Sequence, residues 1–561
     1  MASWNLKDGV FFSILGEIHM DYQLKKGDCF IFGGTLYTME PERTRAEAMV
    51  IRNGRVVYLG DFSGARTHRG PRTEIIDLKG RVALPGFIES HSHPYHVGLW
   101  TGRSWLNCQD FRSISEIIAA LQARAEEKLP GQWLLAYRYD DTKLAENRHP
   151  TRWDLDPLFP ERPVFLYHFG QHIIAVNSAV LRLVGITSST PDPQSGKIDR
   201  DEHGEPTGVF REGAMDLVRA HLPVFSEDEI ISCLEEASRM YLSAGITSTF
   251  EAFLGKLGGM KEVQAVAKMA KAGGLPLRYE AGIPYLLWKE LQAGAAPGLD
   301  WEGDPEWVRP VSVKIFQDGS LFHEAALSTP SRGQIKSGDH CLFYPQPEFD
   351  RMVEEAHISG WPVLTHANGD VAIQSVLESY GRALTGKKRM NLRHRIDHCQ
   401  LATDEQLDRM VRLGVVATFF PAHIWHWGDR HLHNFGPVRA ARLSPMASAL
   451  KRGLKVGLHN DSPFTPIEPL VSIGVAVSRR SNSGEVLGPE ESISVDQALR
   501  ALTLGNAFAS SDEGIKGSLR EGKLGDVVVL EADPYRVNPE EIKDISVAMT
   551  IVAGRVAHVK A

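Results

Sequence analysis

A chain of 561 residues exceeds what one ordinary hydrophobic core holds, so two or more structural units are expected. Its 43% hydrophobic and 24% charged residues are those of a soluble globular protein, and a net charge of −8 over this length gives no reason to expect nucleic acid or a membrane surface as partner. Cys29, Cys108, Cys233, Cys341 and Cys399 are scattered, with no CxxC pair, which excludes a disulfide framework and fits reduced thiols in a cytoplasmic protein.

In chain order, residues 1–26 read as an N-terminal extension, an arm that could contribute to a homodimer. Its apolar run Val10–Leu15 lies between Lys7 and Glu17 and is too short to span a bilayer or serve for export. Residues 27–84 hold short β-rich runs, with Asn53-Gly54 as a hairpin signal. Residues 511–561 read the same way, so both chain ends are expected to build one small β-sandwich domain, tied together by the loop Leu519–Gly525.

Residues 85–510 alternate apolar runs with amphipathic helical stretches, such as Gln346–Ser359, Asp370–Ala383 and Thr403–Leu413. Eight strands are expected, starting near Val82, Gly245, Leu277, Val311, Val363, His394, Val415 and Lys455, which predicts an α/β fold with a (β/α)8 TIM barrel. The long gap between the first two strands predicts an inserted α/β lobe over about 101–240.

Barrel enzymes carry their reactive groups at the C-terminal strand ends, so polar residues that end apolar runs are the candidates. The first strand ends in Leu84-Pro-Gly-Phe-Ile-Glu-Ser-His91-Ser-His93. Residues i and i+2 of a strand share a face, so His91 and His93 can hold one metal together. Lys314 sits within Val311-Ser-Val-Lys-Ile-Phe-Gln-Asp318, where a buried ammonium is costly unless paired or removed. It is read as an ion pair to Asp318, as a snorkelling side chain, or as a lysine carbamate able to bridge two cations. His366 and His398 end the fifth and sixth strands, and Asp461 follows the eighth. A carboxylate there can hold a metal and accept a proton from the attacking water, or merely cap the turn before Ser462-Pro463. Four histidines, a lysine and an aspartate on five strands suit divalent zinc first, with Mn2+ or Fe2+ as alternatives.

With these residues in place the sequence resembles the amidohydrolase superfamily, and within it the YtcJ-like branch that includes N-substituted formamide deformylases. The matching stretches are LPGFIESHSHP at 84–94, VKIFQDGSL at 313–321, THANGD at 365–370, RIDHCQ at 395–400 and NDSP at 460–463. The resemblance spans roughly residues 28–560. It implies two divalent metal ions, the first held by His91, His93 and Asp461, the second by His366 and His398, with carbamylated Lys314 between them. It also implies Asp461 as general acid/base and His172 brought over the substrate by the inserted lobe. The chain departs from the family pattern at Asn460, where Ser is common.

The activity implied is hydrolysis of an amide-type C–N bond in a small-molecule substrate. After the seventh strand, His423, Trp425 and Trp427 form an aromatic loop that would suit a flat N-substituent or simply pack, and Trp100 is expected to line the same pocket. These residues point to an N-aryl or N-benzyl amide or formamide. The competing readings are a mononuclear deaminase on the same barrel, against which Lys314 argues, and a catalytically inactive scaffold, against which the complete ligand set argues.

Overall fold

The computed structural model describes residues 26–42, 44–101, 105–126, 131–170, 172–193, 196–223, 225–294, 301, 303–322, 325–332, 338–385 and 392–560. All but the last residue of the expected N-terminal extension lies outside them. Three sheets organise the chain. No helix among the described residues is long and apolar enough to cross a membrane.

The sheet that carries the candidate site has eight strands, every adjacent pair parallel: β1 (Phe87–Ile88), β2 (Ile246–Glu251), β3 (Arg278–Pro284), β4 (Val308–Phe316), β5 (Val363–Ala367), β6 (Arg395–His398), β7 (Val416–Phe419) and β8 (Val456–Leu458). Residues of β5, β6 and β7 are buried without exception, which is why they read as continuous apolar runs. Helices such as Gln346–Ile358, Asp370–Thr385 and Asp404–Leu413 return the chain between strands, the last started by a Thr403/Gln406 capping box.

The sheet curls, and hydrogen bonds outside the strand ladder link its two edge strands. Asn506 donates from Nδ2 to the carbonyls of both Ile88 and Leu458, 2.6 Å each, and so clasps β1 to β8. Just beyond the strands, Asp461 N donates to His91 O (3.0 Å) and His93 N to Ser462 O (2.7 Å).

The run Val82–Pro85, expected to open this sheet, pairs instead with Cys29–Tyr37 and Val527–Leu530. Only Phe87–Ile88 enters the parallel sheet, because Gly86 N turns to Asp526 O. Strands from both chain ends thus share one eight-stranded sheet. The Asn53-Gly54 signal becomes a two-residue turn between Arg52 and Arg55, with φ of 48° and 76°. The loop 519–525 ties in through Leu519 N to Thr38 O and Gly525 N to Gly54 O, 2.8 Å each.

Between β1 and β2 the chain forms a six-stranded mixed sheet from Trp105–Asn107, Leu134–Tyr139, Val164–His168, Ile173–Val176, Gly196–Arg200 and Pro206–Glu212. His172 lies one residue before the fourth of these strands, and Glu212 ends the last.

Candidate metal centre

The ends of β1, β4, β5, β6 and β8 bring six of the predicted residues, His91, His93, Lys314, His366, His398 and Asp461, to the wall of one cavity of about 1950 Å³, with His172 on its rim. Asp461 Oδ1 lies 3.5 Å from Nε2 of both His91 and His93, so three ligand atoms converge on one point. The rings of His398 and His91 are 4.6 Å apart, and those of His366 and His398 4.5 Å.

Carboxylates hold the other ring nitrogens. His91 Nδ1 meets Asp397, His93 Nδ1 is 2.8 Å from Glu251 Oε1, and His366 Nδ1 is 3.3 Å from Asp318 Oδ1. For His91 and His93 such hydrogen-bonded partners fix the tautomer that presents Nε2 and raise its basicity, whereas His366 Nδ1 makes no hydrogen bond. Burial drives the pKa of His91 and His93 well below the usual histidine range, with nearby cations adding to it, so both rings are neutral as ligation requires.

Asp397 is the hub. It accepts from Thr418 Oγ1 at 2.6 Å and pairs with Arg395 Nε at 2.8 Å, while the Lys314 ammonium stands 3.7 Å away. The ion pair of Lys314 is therefore with Asp397 across the sheet, not with Asp318, whose oxygens accept from the backbone of Ala326, Asn368 and Gly369. Lys314 is 1% exposed and its Nζ has no hydrogen-bond partner. Burial lowers its pKa to about 8, although Asp397 pulls the other way.

Asp461 is pushed up to about 8, chiefly by burial and against the pull of Lys256 and Lys314. His398 and Asp461 both have positive φ, 70° and 54°, rarely adopted by non-glycine residues. Such strain clusters where surroundings hold a side chain in a required position. Asn460 is the anchor there: its N and Nδ2 donate to Glu89 Oε2 at 3.1 and 3.0 Å, and its Oδ1 accepts from Ser472 at 2.6 Å.

Two neutral imidazoles, one carboxylate and a buried amine that makes no hydrogen bond form a donor set that fits a divalent cation. The residues present therefore fit the metal that the sequence implies.

His172 Nδ1 is 2.7 Å from Glu212 Oε1, which leaves Nε2 as the ring's second hydrogen-bonding atom. The aromatic candidates are placed differently. None of Trp100, His423, Trp425 and Trp427 lines the cavity. Trp100 is 3% exposed and stacks on Tyr137 and His96. His423 and Trp427 pack behind Phe464 with ring distances of 5.7 and 4.8 Å, and Trp425 packs beside Ile424 and Val471. All three lie on the helix Ala422–Phe435.

The apolar wall is built instead by Phe253, Tyr285, Leu286, Phe316, Leu342 and Phe464, opposite Lys197, Arg211 and Arg219 of the segment that holds His172. Sequence reasoning missed Glu251, Asp397 and these wall residues. Glu251 ends the buried strand Ile-Thr-Ser-Thr-Phe-Glu, whose hydroxyl residues hide it from a search for polar residues that end apolar runs.

The chain matches the amidohydrolase family over residues 74–558. It is 28% identical over 537 residues to YtcJ of Bacillus subtilis (strain 168), covering 94% of this chain and 99% of that protein. It is also 28% identical over 541 residues to the N-substituted formamide deformylase of Arthrobacter pascens, covering 94% and 97%. Among solved structures it is similar to a metal-dependent hydrolase of Pyrococcus horikoshii OT3, with a TM-score of 0.74 and 25% identity over 91% of this chain and 99% of that one. The chain belongs to the amidohydrolase family and is a hydrolytic enzyme acting on carbon–nitrogen bonds.

Proposed function

We propose that the enzyme hydrolyses an N-substituted amide or formamide at a two-metal centre on a (β/α)8 barrel. In this reading the 105–212 sheet is a lobe over the mouth and the terminal strands form a β-sandwich. The observation that carries it is the convergence of His91, His93 and Asp461, 3.5 Å from carboxylate to each imidazole, with a buried amine beside them. His91, His93 and Asp461 would hold one cation and His366 and His398 the other, with zinc the best match. Bound there, divalent cations supply Lewis acidity and bring the pKa of a coordinated water from about 15.7 toward 7.

The lowered pKa of Lys314 leaves a larger fraction of neutral amine, the form that attacks CO2. The new N–C bond gives a carbamate with loss of one proton, turning a buried cation into the anion that two metals need. Asp461 takes the proton of the attacking water and passes it to the nitrogen as the C–N bond breaks, releasing amine and carboxylate. His172, oriented by Glu212, donates a hydrogen bond to the carbonyl oxygen as charge develops on it. The apolar wall of Phe253, Tyr285, Leu286 and Phe316 takes the N-substituent, and the deformylase activity named for the Arthrobacter pascens relative agrees with that choice.

The compact trio of His91, His93 and Asp461 would also serve one metal alone, which keeps a mononuclear deaminase as the second reading. Elemental analysis of the purified protein beside a Lys314→Ala variant separates the two. Two equivalents falling to one or fewer supports the bridged centre. One equivalent in both proteins moves the single-metal reading ahead, and none after reconstitution overturns both. A panel of N-aryl and N-benzyl formamides then tests the substrate class.

A further inference from the structure

In the segment between β1 and β2, the strands Leu134–Tyr139 and Val164–His168 run parallel and end side by side. Asp141 follows the first, His168 ends the second, and His149 stands beside both. None of the three lines the cavity at the barrel strand ends. Each offers one ligand atom, and the three atoms lie within 4.8 Å of one another. Asp141 Oδ1 is 2.9 Å from His168 Nε2 and 4.0 Å from His149 Nδ1. Zinc bonds of about 2.0–2.1 Å set tetrahedral ligands about 3.4 Å apart, so a cation among these atoms asks each pair to shift by only about 0.6 Å.

The charge states suit such an ion. Burial alone would raise the pKa of Asp141, but the hydrogen bond from His168 and the charges of His149, His168 and Arg430 hold it below the usual carboxylate range. Burial lowers the pKa of His149 to about 4, against the pull of Asp141, so its ring is neutral at physiological pH. The side chains of Asp141, His149 and His168 keep 26%, 15% and 10% of their surface exposed, which leaves an entry path from solvent.

We propose that Asp141, His149 and His168 bind a divalent cation of the zinc type, at a site separate from the candidate metal centre and independent of that reading. One carboxylate and two imidazoles satisfy zinc's ligand preference and leave a fourth position for water. In the structure Gly170 N donates to His168 Nδ1 at 3.1 Å, so the ring proton sits on Nε2 and is donated to Asp141. Binding at Nε2 shifts that proton to Nδ1 through solvent, with no net loss from the ring, and turns the Gly170 N–H away. His149 Nδ1 meets the Tyr139 hydroxyl at 3.3 Å, a long contact that a metal bond replaces.

Zinc titration of the metal-stripped protein, in competition with a chromogenic chelator, tests this. The strand-end residues are expected to take zinc too, so the titration is run in wild type and in a His91→Ala/His93→Ala background. Adding His149→Phe should remove one equivalent in each. Unchanged stoichiometry and affinity in both would overturn the inference and leave Asp141 and His168 a hydrogen-bonded pair. A background variant that takes up no zinc would also overturn it while the metal centre stands, and a wild type that takes up none would overturn both. Circular dichroism checks folding, and should His149→Phe fail to fold, Asp141→Asn gives the same readouts with a smaller change in shape.

Discussion

At the start of β3, Arg278 is buried against Asp526, with its Nε and Nη2 at 2.6 and 2.9 Å from the two carboxylate oxygens. Two residues on, Glu280 accepts from both Lys516 and Arg309 at 2.9 Å, and Asp512 faces the same two cations. Near the other end of the neighbouring strand β4, Lys314 is just as buried and its Nζ has no hydrogen-bond partner. One end of the sheet thus ties its buried charges together with direct hydrogen bonds, and the other leaves the Lys314 ammonium with only a looser ion pair to Asp397. Buried charge is costly in both places. Tight pairing marks where the fold joins the C-terminal segment to the parallel sheet, and the looser pairing of Lys314 marks the candidate site.

The largest effect that would sharpen this contrast is on turnover. Asp461→Asn should lower kcat by about 10²–10⁴-fold while leaving the unfolding midpoint nearly unchanged, and a stability loss with retained turnover would break the comparison. Asp526→Ala should do the reverse. Stranding Arg278 in the interior should cost about 3–5 kcal/mol of stability, read by chemical denaturation, with metal content intact at low denaturant. Behind the ligands, Glu251→Gln and Asp397→Asn should weaken metal binding about 10–100-fold, measured against a chelator. Removal of metal should lower stability only by the binding linkage, about 2.7 kcal/mol when free metal is 100 times its Kd, and the apo protein should still unfold cooperatively. Smallest of all, Trp427→Phe should leave KM within about twofold, since the ring packs behind Phe464 and a similar-sized ring there costs little. A large KM change would return the aromatic helix to the substrate wall.

The candidate ligand residues were legible because each ends or follows an apolar run, and because the His91-Ser-His93 spacing suggests two side chains on one side of the chain. What lies behind them was not. Asp397 meets His91 across 306 residues and Glu251 meets His93 across 158, and no local pattern encodes such pairings. The aromatic helix misled for a related reason. An aromatic run reads the same whether it lines a cavity or packs beneath one, and only the placement of Phe464 decides between them. Val82–Pro85 was read into the wrong sheet because two short buried strands separated by Gly86 look in sequence like one longer strand.

The seam of the parallel sheet joins the earliest and latest parts of the site. His91 and Asp461 share a backbone hydrogen bond, and the clasp that closes the ring comes from Asn506. During synthesis on the ribosome, His91 and His93 emerge 370 and 368 residues before Asp461 and wait longer still for Asn506. A nascent chain therefore displays an incomplete ligand pair for most of its manufacture and cannot trap a cation in finished form. On the proposed metal-centre reading the donor set is complete only once Asp461 has been made, and a chain truncated before Asn506 lacks the clasp between β1 and β8.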